Sequence, residues 1–204
     1  NEYCDWYLEL SKPALADADA SLEGKRGTRQ TLVRVLEATL RLAHPIMPYI
    51  TEEIWQSVKD LAGLPASADT IMLQPYPQAD VNLIDQDALD AIDWLKAVVV
   101  ALRTIRGEMN IAPGKPLPII FKNASIRDRT LFDTNQVLIE ALAKTQSVTW
   151  LDAAQDAPPD ATQLLGEMEI MVPLAGLIDK NAEIARLEKE LAKLQKETGR
   201  LQSK

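Results

Sequence analysis

One cysteine and one histidine are all that the 204-residue chain offers to a disulfide or an imidazole-based site. Cys4 alone excludes an internal disulfide and fits a reducing compartment. Together with His44 it is too little for a His/Cys metal cluster, so a metal-free chain is expected. Long apolar runs are missing too: the longest, Ala97 to Leu102, is six residues, against the roughly 20 a membrane helix needs. No charged-then-apolar leader opens the sequence, and residues 1–6 read as mid-helix, so a segment of a longer protein is expected. Glycine is scarce at 8 while proline numbers 12, so elements should end abruptly. Basic charge is also in deficit, since the net −8 argues against a general polyanion binder. What remains, 47% hydrophobic and 25% charged, is enough for one large or two small globular domains and excludes a disordered chain. A soluble, cytoplasmic protein is expected, with neither a membrane nor DNA as partner.

The distribution of charge says more than its sum. Residues 1–79 hold 7 basic and 11 acidic side chains, residues 80–176 hold 8 and 14, and residues 177–204 hold 7 and 5. Within the first part, residues 24–44 set Lys25, Arg26, Arg29, Arg34 and Arg41 against a single Glu37. Any nucleic-acid contact must therefore be a local, oriented patch.

Periodicity divides the chain in the same way. Tyr3, Trp6, Tyr7 and Leu10 form a helical stripe that Pro13 should end or kink. A second helix is predicted from Thr28, an N-cap after Gly27, to about Ala43. On it Arg26, Gln30, Arg34, Glu37, Arg41 and His44 lie within about 80° of one another. Leu32, Val35, Leu36, Leu40, Ala43 and Met47 take the other side. Pro45 and Pro48 begin a third helix, Ile50 to about Leu61, with Ile54, Trp55 and Val58 inward. Residues 69–80 read as a linker, with a short strand at Thr70–Leu73. A helix follows over 87–109, with the stripe Ala91, Leu95, Val98, Leu102, Ile105 and Met109. Pro113, Pro116 and Pro118 forbid its continuation. Strands are predicted at 117–121, 147–151 and 169–172, a helix at 126–143, and an exposed loop at 156–160. The fold class is mainly α with a smaller α+β unit of unreadable strand order. At the end, Leu177, Ile184, Leu187, Leu191, Leu194 and Leu201 fall on heptad steps. That stripe should bury against another chain or another part of this one.

The sequence has no G-x-x-x-x-G-K-[ST] or G-x-G-x-x-G motif. Gly24-Lys25-Arg26-Gly27-Thr28 reads as a flexible basic turn, with phosphate binding at a helix N-terminus as the sharper alternative. His44 reads as a satisfied structural histidine. Trp6, Tyr49 and Trp55 read as core rather than stacking platforms. Glu52-Glu53 is explained by the dipole of a helix's first turn. No catalytic residue is identified.

Four stretches resemble the C-terminal part of bacterial valyl-tRNA synthetases: Asp5 to Lys12, Leu40 to Trp55, Ile105 to Pro116, and Ala175 to Lys180. The first two look like the class I helical anticodon-binding bundle, shared by valyl, isoleucyl and leucyl enzymes; the last two look valyl. The resemblance implies three parts: the C-terminal part of the bundle (1–79), a long helix with a small α/β unit (80–176), and a truncated coiled-coil arm (177–204). It also implies a parent enzyme that joins valine to its tRNA using ATP and Mg. The class I catalytic signatures, His-Ile-Gly-His and Lys-Met-Ser-Lys-Ser, are absent from this sequence, so no cofactor is expected here.

Bases in RNA loops are read by stacking and by hydrogen bonds to their edges, with phosphates held by Lys and Arg. The candidate tRNA contacts are therefore Arg26, Gln30, Arg34 and Arg41, with Lys12, Arg103 and Arg106. The alternatives are a structural module that self-associates through its heptad helix without binding RNA, and the same region of an isoleucyl-type enzyme.

Overall fold

The computed structural model describes residues 2–65, 67–156, 158 and 160–174, and the isolated positions 184, 191, 192, 194, 195 and 198. The chain divides into two compact units, Asn1–Ala88 and Leu89–Lys204. The first is helical and the second a mixed sheet with helices, the architecture the sequence pattern predicts.

A turn of π-helix, Glu2–Tyr7, opens the first unit and runs into α1, Leu8–Ala16. Pro13 does not end α1: the helix continues a further turn, and the Asp17 N–H closes on the Pro13 carbonyl at 2.9 Å. Helix α2, Leu22–Ala43, starts six residues earlier than the glycines suggest. Its cap is Ser21, whose Oγ accepts from the Gly24 N–H at 3.0 Å and satisfies one of the orphan donors of the first turn. The expected N-cap Thr28 lies inside the helix and donates instead to the Gly24 carbonyl. The basic stretch 24–28 is thus helix rather than turn, and the helix N-terminus lies at Ser21 instead of at Thr28.

Helix α3, Pro48–Val58, uses Pro48 at its first position, where a missing N–H costs nothing. Trp55 and Val58 point inward, but Ile54 is 38% exposed, contrary to the sequence reading. Trp55 sits with Leu40, Ala68 and Ile71 in a buried cluster flanked by Leu36 and Leu64. Residues 71–73 form a 3-10 turn and not a strand. Among the described residues of this unit there is no strand for them to pair with, and an unpaired strand leaves its polar backbone unsatisfied.

In the second unit, α4 (Gln86–Glu108, its first residues in the first unit) buries Leu95, Val98, Val99, Leu102 and Ile105, as its stripe predicts. Four strands, β1 (Leu117–Lys122), β2 (Thr145–Leu151), β3 (Asp160–Leu165) and β4 (Met168–Pro173), form one sheet in the order β2-β1-β4-β3. β1 and β2 are parallel, joined through α5 (Ile126–Ala143), and the other two pairings are antiparallel. Ser125 and Asp128 close a capping box at the start of α5. Gly166, at φ +61, takes the first position of the two-residue β3–β4 turn, a place that favours glycine.

Helices α4 and α5 run parallel. Trp94 Nε1, a little over two turns into α4, donates to Asp128 Oδ1 in the first turn of α5 at 2.8 Å, and Arg106 donates to the Ala143 carbonyl at 2.9 Å near the ends of both helices. Phe121 of β1 stacks on Trp150 of β2 and meets Phe132 of α5 edge-on, which seats α5 on the sheet.

The sequence pattern does not mark β3, predicting only a loop over 156–160. In the heptad segment, the six described positions are helical. Ile184 is 45% exposed and Leu191 and Leu194 are 58% exposed, so these three are not buried against the rest of the chain. Leu177, Leu187 and Leu201 lie outside the described residues.

Candidate nucleic-acid interface

Helix α2 carries its polar residues on one strip, but the fold gives the two ends of that strip different fates. At the C-terminal end α3 folds back over it. Glu37 is 5% exposed; its Oε1 accepts from Trp55 Nε1 at 2.9 Å and its Oε2 from Arg41 at 2.8 Å. Arg41 also donates to the Pro75 carbonyl at 2.6 Å, so its guanidinium holds the linker to the helix pair. His44 Nδ1 lies 2.7 Å from Thr51 Oγ1, the satisfied structural role expected of it. Arg41 is therefore placed within the scaffold, apart from Arg26, Gln30 and Arg34.

At the N-terminal end the strip itself lies open. Arg26, Arg29, Gln30 and Arg34 are all exposed. Arg26, Arg29 and Gln30 stand on the rim of a cavity of about 510 Å³ whose apolar wall is Leu32, Val33 and Leu61. Tyr3 fixes the flank by donating to the Leu32 carbonyl at 2.9 Å; burial pushes its hydroxyl pKa up, with Cys4 and Tyr7 adding to the rise. Arg26, Arg29 and Gln30 are neighbours because three- and four-residue steps bring side chains onto one ridge. Arg29 belongs to the same basic cluster but lies outside the 80° strip, which is why the strip alone misses it.

The remaining candidates lie elsewhere. Lys12 is exposed and ion-paired with Glu9 one turn back. Arg103 is an exposed residue of α4. Arg106 donates to the carbonyls of Ala112 and Lys115, both at 2.8 Å, besides that of Ala143. It ties the proline-rich turn after α4 to the end of α5, and burial pushes its pKa down.

Two other expectations change in the structure. Tyr49, expected in the core, is 90% exposed beside Ile46 and Ile50, whereas Trp55 is fully buried and Trp6 half-buried. Glu52 lies in the second turn of α3, so the helix dipole does not explain it. Its carboxylate instead accepts from Gln56, from the Thr70 hydroxyl at 2.8 Å and from the Ile71 N–H at 3.2 Å. Partial burial pushes its pKa up, but these bonds, with His44, outweigh it and hold the carboxyl below its ordinary value.

A cationic helix face beside an apolar-walled cavity suits RNA, whose phosphates need cations and whose unstacked bases need apolar surface. Among the described residues no helix is long and apolar enough to cross a membrane. Residues 1–121 match the model of the anticodon-binding domain of tRNA ligase, and since they make up more than half of the chain, this protein belongs to that family.

Proposed function

We propose that the chain is the anticodon-side tRNA-binding part of a cytoplasmic valine–tRNA ligase. In this reading the exposed half of α2 meets the tRNA: Arg26, Arg29 and Arg34 neutralise phosphates while Gln30 and the adjoining cavity receive a loop base. The observation that carries it is the division of α2, which leaves these arginines outward and gives Arg41 an acid partner within the scaffold. Activation of valine, with its ATP and Mg, belongs to the parent enzyme's catalytic part; the residues here bind and orient and carry out no step of that chemistry. The choice of valine over isoleucine rests on the resemblance of Ile105 to Pro116 and of Ala175 to Lys180 to valyl enzymes.

Two transcripts, valine tRNA and the same tRNA with an isoleucine anticodon, test the reading by fluorescence anisotropy with the purified chain. Tighter binding of the valine transcript is expected. Equal binding of both would remove the anticodon-reading role, and preference for the isoleucine anticodon would move the chain to the isoleucyl alternative.

A further inference from the structure

A second cavity, of about 470 Å³, opens in the second unit, where α4 and α5 end side by side. Its size falls in the range of small-molecule and cofactor sites. Pro113 and Leu142 present its apolar surface, with Leu102 and Ile111 buried behind them, and such a surface can desolvate a planar base. Among the described residues the polar lining is one-sided in charge: Arg103, Arg106 and Lys144 are present, and no carboxylate is. The two helix C-termini oppose an anion, each with roughly −0.5 of a charge. Arg103, Arg106 and Lys144 stand against that negative end, and the Ala143 carbonyl at the end of α5 is already engaged by Arg106.

Each cation has a distinct position. Arg106 spends its bonds on three main-chain carbonyls, so its charge is held in place by neutral groups. Arg103 and Lys144 are exposed at the rim. Lys144 is the left-handed residue that ends α5, with φ 51, and Asn110 ends α4 in the same conformation, with φ 50. The Asn110 side chain is exposed at the cavity and offers both a donor and an acceptor, the combination that matches a base edge.

We propose that this cavity binds one unpaired nucleoside monophosphate unit, with the base against Pro113 and Leu142 and the phosphate between Arg103 and Lys144. The unit comes either from a single-stranded stretch of RNA or from a free nucleotide; the chemistry recognised is the same. The site stands on its own cavity and does not depend on the α2 face, so either can fail without the other.

The test uses the full 204-residue chain, NMR backbone amide shifts and three probes: a five-nucleotide single-stranded RNA, adenosine monophosphate and inorganic phosphate. Saturable shifts at Asn110, Ile111 and Leu142 are expected with a nucleotide probe and not with inorganic phosphate. Saturation by the RNA at lower concentration than by the mononucleotide identifies RNA as the source, and the reverse identifies free nucleotide. A variant with Arg103→Ala and Lys144→Asn, the second chosen because Asn tolerates the left-handed conformation, should weaken the tighter-binding probe about tenfold. If that probe is the RNA, its salt slope should fall by roughly 0.7, the value for the one single-strand phosphate no longer neutralised. A variant with Arg26→Ala and Arg34→Ala should leave the cavity shifts unchanged. Absence of shifts at the cavity with both nucleotide probes, shifts that inorganic phosphate reproduces, or undiminished binding by the Arg103/Lys144 variant would overturn the proposal.

Discussion

The Glu37 carboxylate accepts one bond from Trp55 and one from Arg41, and all three side chains are shielded where α3 crosses α2. Removing Arg41 leaves a buried carboxylate with one neutral donor. Breaking such a pair is far more costly than losing a surface ion pair, so Arg41→Ala should destabilise the fold by on the order of 3 kcal/mol in urea denaturation. A loss below about 1 kcal/mol, the surface value, would show that Arg41 is not part of the scaffold. Glu52 gives a pH dependence of definite sign. Its folded pKa lies below the ordinary value of 4.5, so its contribution is present above that pH and is lost as pH falls through the lowered folded value. The melting temperature of the native chain should exceed that of Glu52→Gln at about pH 6, and the gap should close as pH falls below 4.5. A gap that stays constant through this acid range would contradict the assignment. The histidine's structural role is legible in sequence because its neighbours on both sides are apolar or proline. The division between Arg34 and Arg41 is not: both share one helical strip, and only the return of α3 decides which is covered.

At the scale of elements, legibility follows the strength of the local pattern. α4, α5 and β1 have regular apolar periods and sharp ends, proline after α4 and Ser125 before α5, and their positions agree closely with the prediction. β3 has the opposite arrangement. Gln163 lies in the same row as the buried Ala161, and Leu164 faces outward at 71% exposure. Gln163 is accommodated by bonding to Glu108 of α4, a tertiary partner that no period-2 pattern reveals. The start of α2 is obscured by Gly24 and Gly27, which argue for a turn until the Ser21 cap is seen. Gly27 therefore offers a test of the element. It is helical, and a Cβ there would meet nothing within 4 Å. Gly27→Ala should stabilise the protein by about 0.5–1 kcal/mol, since alanine loses less entropy in a helix. Gly63→Ala, at φ +77, should instead destabilise. A reversed pair of signs in thermal denaturation would show that residues 22–27 are not helical in solution.

Across the whole molecule, a net charge of −8 and an RNA-binding role are reconciled by where the cations sit. Residues 24–44 concentrate five of them along α2, and the fold exposes three arginines at one end, Arg26, Arg29 and Arg34. The family match continues through α4 and β1, so it spans parts of both compact units. The exposed arginine face is the central claim, and the salt dependence of tRNA binding tests it most directly. The measurement is the valine tRNA dissociation constant from about 50 to 200 mM salt, for the native chain and for a variant with Arg26, Arg29 and Arg34 all changed to Ala. Binding by the variant should be weaker, and its log–log slope shallower by about two, at roughly 0.7 for each phosphate no longer neutralised. An unchanged affinity with an unchanged slope would contradict the claim and return this face of α2 to solvent.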